Sequence, residues 1–219
     1  MKSFSNTPSF NELPKIIPVF PLNGSIILPG ADLPLHIFEE RYRQMVSSSL
    51  KSNRIIGMIQ PSESGNIDLY KIGCIGRIVS FKETNDGRYF LTLNGICRFE
   101  FVKEINNEQA FRSAEVSYES FHIDYTENQE NTKIFDREKV FPLLKKYFSK
   151  SQIDIDMETL ETFSDDTIIQ SLSMSCPFEP SEKQLLLEAK NIENRGELFL
   201  SLVEIAISLQ INNDSKSLQ

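Results

Sequence analysis

The sequence has few of the residues on which catalytic and metal sites depend. It holds two histidines, three cysteines and nine glycines in 219 residues. Two histidines without an HExxH pattern exclude a histidine-rich metal site. No glycine precedes a lysine and no two glycines are four residues apart, which excludes a Walker A loop and a GxSxG nucleophile elbow. We therefore expect a protein without enzymatic activity, cofactor or metal ion.

The cysteines are Cys74, Cys97 and Cys176, and their odd number without a CxxC pair fits neither a disulfide framework nor a zinc ribbon. We expect three reduced thiols that pack as small apolar groups. Cys176 follows a predicted helix end in an acidic stretch, where nothing in the sequence stabilises a thiolate. Its expected role is structural.

Long apolar runs are also missing. No stretch approaches the roughly 18 to 20 apolar residues that a membrane-spanning helix needs, and the N-terminal segment has no continuous apolar region of the kind found in secretion signals. We expect a cytoplasmic protein without membrane contact. The net charge of −8 repels phosphate backbones, which disfavours nucleic acid as a partner.

The first half of the chain is rich in strand-forming residues. Six runs with many β-branched and aromatic residues are separated by glycine, asparagine and aspartate: 15–22, 54–60, 71–83, 88–95, 97–105 and 112–119. The Asn-Asp-Gly sequence at 85–87 predicts a hairpin, because Gly87 can adopt the positive φ that the turn requires. Together the runs predict a small, mostly antiparallel β-barrel.

Residues 39–51 interrupt this pattern with a predicted helix. Apolar residues recur there at i, i+3, i+4 and i+8: Tyr42, Met45, Val46 and Leu50. Glu40 and Gln44 lie on the opposite, polar side of the same helix.

The second half is predicted to be helical. Two capping-box patterns, Ser181 with Gln184 and Asn194 with Glu197, mark expected helix starts, and Pro142 should kink or break an earlier helix. The fold class is therefore α+β, a mostly antiparallel β-barrel with one helix followed by a helical bundle. The expected boundaries are a disordered tail at 1–13, the barrel subdomain at 14–120, a linker at 121–132, the helical subdomain at 133–210 and a tail at 211–219.

Charge is uneven in this second half. No lysine or arginine occurs from Ser151 through Glu182, whereas the residues just before are basic: Lys133, Arg137, Lys139, Lys145, Lys146 and Lys150. Either the two stretches pair as neighbouring solvated faces, which we favour, or they form a surface that docks a partner.

Residues 20–45, FPLNGSIILPGADLPLHIFEERYRQM, combine prolines with apolar residues and place His36 next to Leu35 and Ile37. His36 has two possible roles. It either forms an acid–base pair with Glu39 or, as we expect, lies in the core as a histidine with a hydrogen-bond partner. The prolines suit edge strands and sharp bends at a barrel rim.

Four segments resemble the N-terminal domain of Lon protease in the order in which that family has them. They are PVFPLNGSIILPGADLPLHIFEERYRQM, IGCIGRIV, LNGICRFEF and CPFEPSEKQLLLEA, and they span about residues 14–210. Glu40 stands where many relatives have proline, a neutral exchange at the first helical turn. The resemblance implies a PUA-like barrel followed by a helical subdomain, without the ATPase and Ser-Lys protease domains of full-length Lon.

The resemblance also implies a role in engaging protein substrates. The leading hypothesis is a non-catalytic module that binds unfolded or exposed polypeptide segments. In this hypothesis its further partner is a separate ATP-dependent protease, for which it acts as an adaptor, or a chaperone. The alternative is a PUA-like RNA-binding protein, which the acidity disfavours. An uncharacterised hydrolase would need a catalytic constellation that the sequence lacks.

The polypeptide-binding candidates are Glu40, Arg43, Gln44 and Phe178. The first three project from the polar side of the predicted helix, next to the barrel edge that precedes it, where a recognition surface is available. Phe178 lies in a loop between predicted helices, where it either closes the bundle or meets a peptide.

Overall fold

The computed structural model describes residues 8–62, 68–126 and 133–216. The chain divides into two compact units. The sheet unit comprises the described residues up to 126 together with Phe178–Leu187, and the helical unit comprises 133–177 and the residues from 188 onward. This division differs from the predicted one, because the segment 178–187 belongs to the sheet unit.

The sheet unit contains one sheet of six strands. They are β1 (Ile16–Pro21), β2 (Asp32–Ile37), β3 (Ile55–Ile59), β4 (Ile72–Glu83), β5 (Tyr89–Ile105) and β6 (Ser113–Ser117). Their order is β2-β5-β4-β3-β1-β6, and an additional pairing of β5 with β6 closes all of them except β2 into a ring. Among the described pairings only β1 with β3 is parallel. The predicted mostly antiparallel architecture is confirmed.

The core of the sheet unit is a cluster of apolar side chains from the strands of the ring. Val19, Ile75 and Phe99 have no solvent exposure, and Ile17 and Ile55 are almost as deeply buried. Burial of such side chains is the main source of stability, at about 25 cal/mol for each Å² of apolar surface removed from water. The β-branched runs that predicted strands thus also supply the core.

Two strands differ from the prediction. The runs 88–95 and 97–105 form one continuous strand, β5, because Gly95 does not end it; instead the pairing with β4 shifts register there and Ile96 is left without a partner in the ladder. β2 was not among the six predicted runs, since Pro34 in its centre weakens the strand signal. Its terminal position in the sheet agrees with the expectation that the prolines suit an edge strand.

The sheet unit also contains helices. These are α1 (Glu40–Leu50), α2 (Ile123–Thr126) and all but the last residue of α6 (Pro180–Glu188), with short 3-10 turns at Phe10–Glu12 and Glu119–Phe121. The helix predicted over 39–51 is confirmed, with Tyr42, Met45 and Val46 buried. Helical turns therefore occur inside the predicted N-terminal tail and linker, whose residues 1–7 and 127–132 lie outside the described part.

A buried ion pair joins three elements of the sheet unit. Arg98 of β5 and Asp124 of α2 are 2.7 Å apart, with side-chain exposures of 2% and 5%. The backbone N–H of Arg98 also donates to Asp124, and its guanidinium donates to the carbonyl of Leu187 in α6. The pair thus holds part of the predicted linker against β5.

A second polar network holds α6 in the sheet unit. The side chain of Gln60, which is fully buried, donates to the carbonyl of Pro180 and to the side chain of Gln184 and accepts from the backbone N–H of Gly24. Gln184 in turn donates to the carbonyl of Ile72. Buried polar groups require partners of this kind, so these glutamines fix the position of α6 on the strands.

The helical unit contains α3 (Arg137–Ser151), α4 (Met157–Glu161), α5 (Asp165–Ser175) and α7 (Ile192–Lys216). α7 packs against α3 and α5. The core of the helical unit includes four completely buried side chains, Leu144, Ile169, Phe199 and Val203. The helix predicted over 165–175 is confirmed. α3 continues through Pro142 without a break, with the proline on its exposed side.

Two predicted helix starts are wrong. α6 begins at Pro180, so Ser181 lies inside it rather than at its N-cap. α7 begins at Ile192, and the side chain of Asn191 accepts the backbone N–H of Asn194. Asn191 therefore fills the capping position that was predicted for Asn194, because it reaches a free N–H of the first turn.

The uneven charge of the second half is partly paired within the helical unit. Arg137 of the basic stretch lies 2.7 Å from the buried Asp165 of the acidic stretch and donates to the carbonyls of Glu161 and Phe163. This contact agrees with the favoured interpretation of two neighbouring paired faces. In the part of the chain that the structure describes, no helix is both long and apolar enough to cross a membrane.

Candidate functional site

β2 and the adjoining halves of β5 and β4 form a small three-stranded sheet. Residues 32–37 pair with 89–94, and 89–93 pair on their other side with 78–83. β3, β1 and β6 take no part in these pairings. We call residues 32–37, 78–83 and 89–94 the arm sheet.

The two faces of the arm sheet differ in burial. One face of its middle strand is buried and carries Tyr89, Leu91 and Leu93. Phe90 lies on the opposite, exposed face, with His36 of β2 and Lys82 of β4 directly beside it in the register. Side chains alternate between the faces of a strand, so the exposed face is set by the same pattern that buries the leucines.

Three aromatic side chains lie together on the exposed face of the arm sheet and at the end of β2: His36, Phe38 and Phe90. The rings of His36 and Phe90 stack with centroids 4.3 Å apart and planes inclined by 7°, and Phe38 lies 5.8 Å from His36. His36 and Phe90 line an open groove of about 550 Å³, which Phe81 also borders, although Phe81 is paired with Leu91 and lies on the other face of the arm sheet. We call His36, Phe38 and Phe90 the aromatic surface.

The aromatic surface is open to solvent. Phe38 and Phe90 are 59% and 51% exposed. Large phenyl groups left in water lose the free energy that burial would provide, so an exposed cluster of them is a candidate interaction site. Pro34 extends the apolar lining of the groove along β2.

The prediction that His36 is a core histidine is wrong. The side chain is exposed and stacks on Phe90, and it forms no hydrogen bond with a residue that the structure describes. The error arose because Leu35 and Ile37 flank His36 in sequence, whereas in a strand they lie on the opposite face. Glu39 pairs instead with Arg41, at 2.9 Å, so the acid–base alternative also has no support.

The predicted polar residues lie on α1. Glu40 and Gln44 are exposed, and Gln44 donates to Glu40. Arg43 is half-buried; it forms an ion pair with Glu40 at 3.0 Å and donates from Nε to the carbonyl of Gly87 at 2.6 Å. Arg43 thereby ties the turn at the tip of the β4–β5 hairpin to α1, whose N-terminus directly follows β2.

Loss of the hydrogen bond from Arg43 to the carbonyl of Gly87 should lower the stability of the fold. Arg43→Ala should lower the free energy of unfolding by about 1 kcal/mol, because a charge-assisted hydrogen bond to a backbone carbonyl is lost at a partly exposed site. Gln44→Ala is the matched control on the same helix and should shift stability by less than about 0.5 kcal/mol. Chemical denaturation of both variants measures the difference. Equal stabilities would show that Arg43 does not hold the turn.

Phe178 is placed in the sheet unit and is 8% exposed. Of the two predicted alternatives, this burial favours a packing role over contact with a peptide. The three cysteines are free and buried, as predicted. Burial raises the pKa of the Cys97 thiol well above its usual range, and the Asp124 carboxylate raises it further, which agrees with a packing role.

Sequence reasoning missed Phe38, Phe81 and Phe90. A signal for Phe90 was present, because it alternates with Tyr89 and Leu91 and shares a face with Thr92. Phe81 gave no such signal, since the register of β4 shifts between Ile78 and Ser80 and reverses the faces that a regular alternation would assign.

Comparison with known proteins agrees with the resemblance found in the sequence. A family model described as the ATP-dependent protease La (LON) substrate-binding domain matches residues 16–204. Lon protease 2 of Myxococcus xanthus is 24% identical over 207 residues, which are 88% of this chain and 24% of that protein. Lon protease of Flavobacterium johnsoniae is 24% identical over 94% of this chain and 26% of that protein. The chain spans about a quarter of the length of these relatives.

Two solved structures share the fold. The Lon N-terminal domain protein from Xanthomonas campestris aligns with a TM-score of 0.59 and 22% identity, over 85% of this chain and 97% of that one. The N-terminal domain of the Mycobacterium avium complex Lon protease aligns with a TM-score of 0.60 and 15% identity, over 87% and 98%. The predicted α+β class is thus confirmed, and the chain belongs to the ATP-dependent protease La (LON) substrate-binding domain family.

Proposed function

We propose that this chain binds unfolded or exposed segments of protein substrates through the aromatic surface and presents them to a separate ATP-dependent protease. The observation that carries the proposal is the exposed stack of His36 on Phe90 with Phe38 nearby. Unfolded chains differ from folded ones chiefly in their exposed apolar side chains, which such rings can cover.

Two further features support this function. The family is described as a substrate-binding domain, and the relatives that match along most of this chain are Lon proteases. Glu40, Arg43 and Gln44 adjoin the aromatic surface through β2 and Phe38, and we propose that they form its polar rim. An apolar centre with a polar rim is the usual anatomy of a protein interface.

The test uses reduced, carboxymethylated α-lactalbumin, which stays unfolded without denaturant. The variant His36→Ala/Phe90→Ala should bind it about tenfold more weakly than the wild type, because the stacked pair of rings is removed. Glu40→Ala/Gln44→Ala should weaken binding less, since rim contacts remain solvated. Isothermal titration measures both affinities.

The matched control is Ile16→Ala/Val102→Ala, which removes two equally exposed apolar side chains of the sheet unit away from the arm sheet. This variant should bind like the wild type. Thermal melts should show all three variants folded, because exposed substitutions shift stability by about 0.5 kcal/mol or less each. Equal affinities for the His36/Phe90 variant and the wild type would contradict the proposed site.

The adaptor role needs its own measurement. Adding this chain to a purified Lon protease that has the ATPase and protease domains should speed degradation of the carboxymethylated substrate, and the His36→Ala/Phe90→Ala variant should not. An unchanged rate with the wild-type chain would contradict the adaptor role while leaving substrate binding intact.

A further inference from the structure

The arm sheet has two outer edges, on β2 and on β4. We propose that the β4 edge, residues 79–83, captures an extended polypeptide segment by strand addition, and that the preferred segment carries an acidic residue next to an apolar one. This inference rests on the proposed function and specifies how the same site holds its substrate. It concerns backbone hydrogen bonds, which the aromatic surface alone does not provide.

The hairpin turn fixes the direction of the backbone groups of β4. Thr84 donates its N–H to the carbonyl of Arg88 at 2.9 Å, so these two residues are a hydrogen-bonded pair. In an antiparallel ladder such pairs alternate with pairs that make no hydrogen bond. Following the register back from the turn, Lys82 and Ser80 bond to β5, and the N–H and C=O groups of Phe81 and Glu83 point away from it.

The groups that point away have no strand beside them. The pairing of β4 with β3 ends at Arg77, and the backbone N–H of Ile78 donates to Arg54. Among the described residues, none pairs with 79–83 on the side away from β5. Another extended chain is the partner that satisfies a row of alternating donors and acceptors, as in strand-addition complexes.

The β2 edge is blocked by Pro34. Gly95 of β5 donates its N–H to Ala31, so the odd-numbered residues of β5 face β2 and the backbone of Pro34, opposite Thr92, points outward. Proline has no N–H, so the centre of the β2 edge lacks the donor that an added strand would need. The β4 edge contains no proline.

The side chains beside the β4 edge define the segment that fits. Lys82 lies on the exposed face beside Phe90 and makes no ion pair with a described residue, so a carboxylate placed opposite it gains a partner. Phe81 lies on the other face and is half exposed, so the adjoining residue of an added strand should be apolar. The charge of Lys82 and the apolar ring of Phe81 are therefore complementary to an acidic residue flanked by apolar ones.

The probe is the capped peptide acetyl-Gly-Ser-Leu-Asp-Leu-Ser-Gly-amide, with Lys in place of Asp as its matched control. At saturation, amide hydrogen exchange followed by NMR should slow about tenfold or more at Phe81 and Glu83 and stay unchanged at Ser80 and Lys82, whose N–H groups are already bonded. Binding by side chains alone would not produce this alternation. Uniform protection across 80–83, or none with the peptide bound, would overturn the inference.

Three variants extend the test. Phe81→Pro removes the outward N–H and should abolish peptide binding, whereas Phe81→Ala removes only the ring and should retain weakened binding with protection at Glu83. Lys82→Glu should reverse the preference between the Asp and Lys peptides. Equal binding by the two Phe81 variants would overturn strand addition. Continued capture of carboxymethylated α-lactalbumin in that case would leave the proposed function standing, while failure of the unaltered chain to capture it would refute the proposed function itself.

Discussion

Replacing Arg98 with methionine should lower the free energy of unfolding by about 3 to 5 kcal/mol, the typical cost of removing one partner of a buried ion pair. Methionine has similar length and fills much of the space, so the expected loss comes from the uncompensated carboxylate rather than from a cavity. Urea unfolding of the variant and the wild type measures the difference.

The size of the effect follows from the surroundings of the pair. Arg98 donates to both carboxylate oxygens of Asp124 and stacks its guanidinium 4.7 Å from the ring centre of Phe121. Without the Arg98 side chain, the Asp124 carboxylate would keep only one hydrogen-bond donor among the residues that the structure describes, the backbone N–H of residue 98. A buried charge so poorly compensated is costly.

A double variant separates the charge from the packing. In Arg98→Met/Asp124→Asn the amide carries no charge and still accepts the backbone N–H, so the double variant should be more stable than Arg98→Met alone. Arg112→Ala is the control, because its ion pair with Glu104 is partly exposed and should contribute about 1 kcal/mol or less. If Asp124→Asn further destabilised Arg98→Met, the buried charge would not be the cause of the loss.

The Arg98 contacts also show why the sequence predicts only part of the fold. Local patterns were sufficient for β1, α1 and α5, because their apolar periodicity and their turn residues agree. Asp124 instead lies in a polar stretch without a period and finds its partner 26 residues away, and Leu187 accepts from Arg98 across 89 residues. No local signal records such pairs, so the sequence alone predicts a linker at this stretch and places α6 in the helical bundle.

The candidate site shows the same limit. The sequence indicated that the first helix and the edge before it form the surface, and it placed Glu40, Arg43 and Gln44 together. It could not show that Phe90 stands beside His36, because strand register depends on contacts between residues more than 50 positions apart. Nor could it show that Arg43 reaches Gly87, 44 residues away.

Gly95→Ala should be the most disruptive single-methyl addition in the sheet unit, with an expected loss of about 3 kcal/mol or more. The backbone of the β1–β2 connection crosses β5 at this residue: Gly95 donates to the carbonyl of Ala31 at 2.8 Å and accepts from Gly30 at 2.9 Å. A Cβ atom at 95 would overlap the carbonyl oxygen of Leu28, which is backbone and cannot rotate away. Relief of the overlap must break these hydrogen bonds and displace Leu28, which is fully buried.

The matched control is Gly24→Ala, at a position where a Cβ atom would meet nothing within 4 Å. Gly24 has a φ of +70°, so alanine there adds only the strain of a left-handed backbone, about 1 to 2 kcal/mol. Urea midpoints of the two variants compare steric overlap with conformational strain, because both changes add one methyl group. A Gly95→Ala protein as stable as Gly24→Ala would show that the connection moves freely away from β5. The expected larger loss for Gly95→Ala would instead show that the contact at Gly95 fixes the β1–β2 connection. The same contact then also positions the start of β2 and the arm sheet.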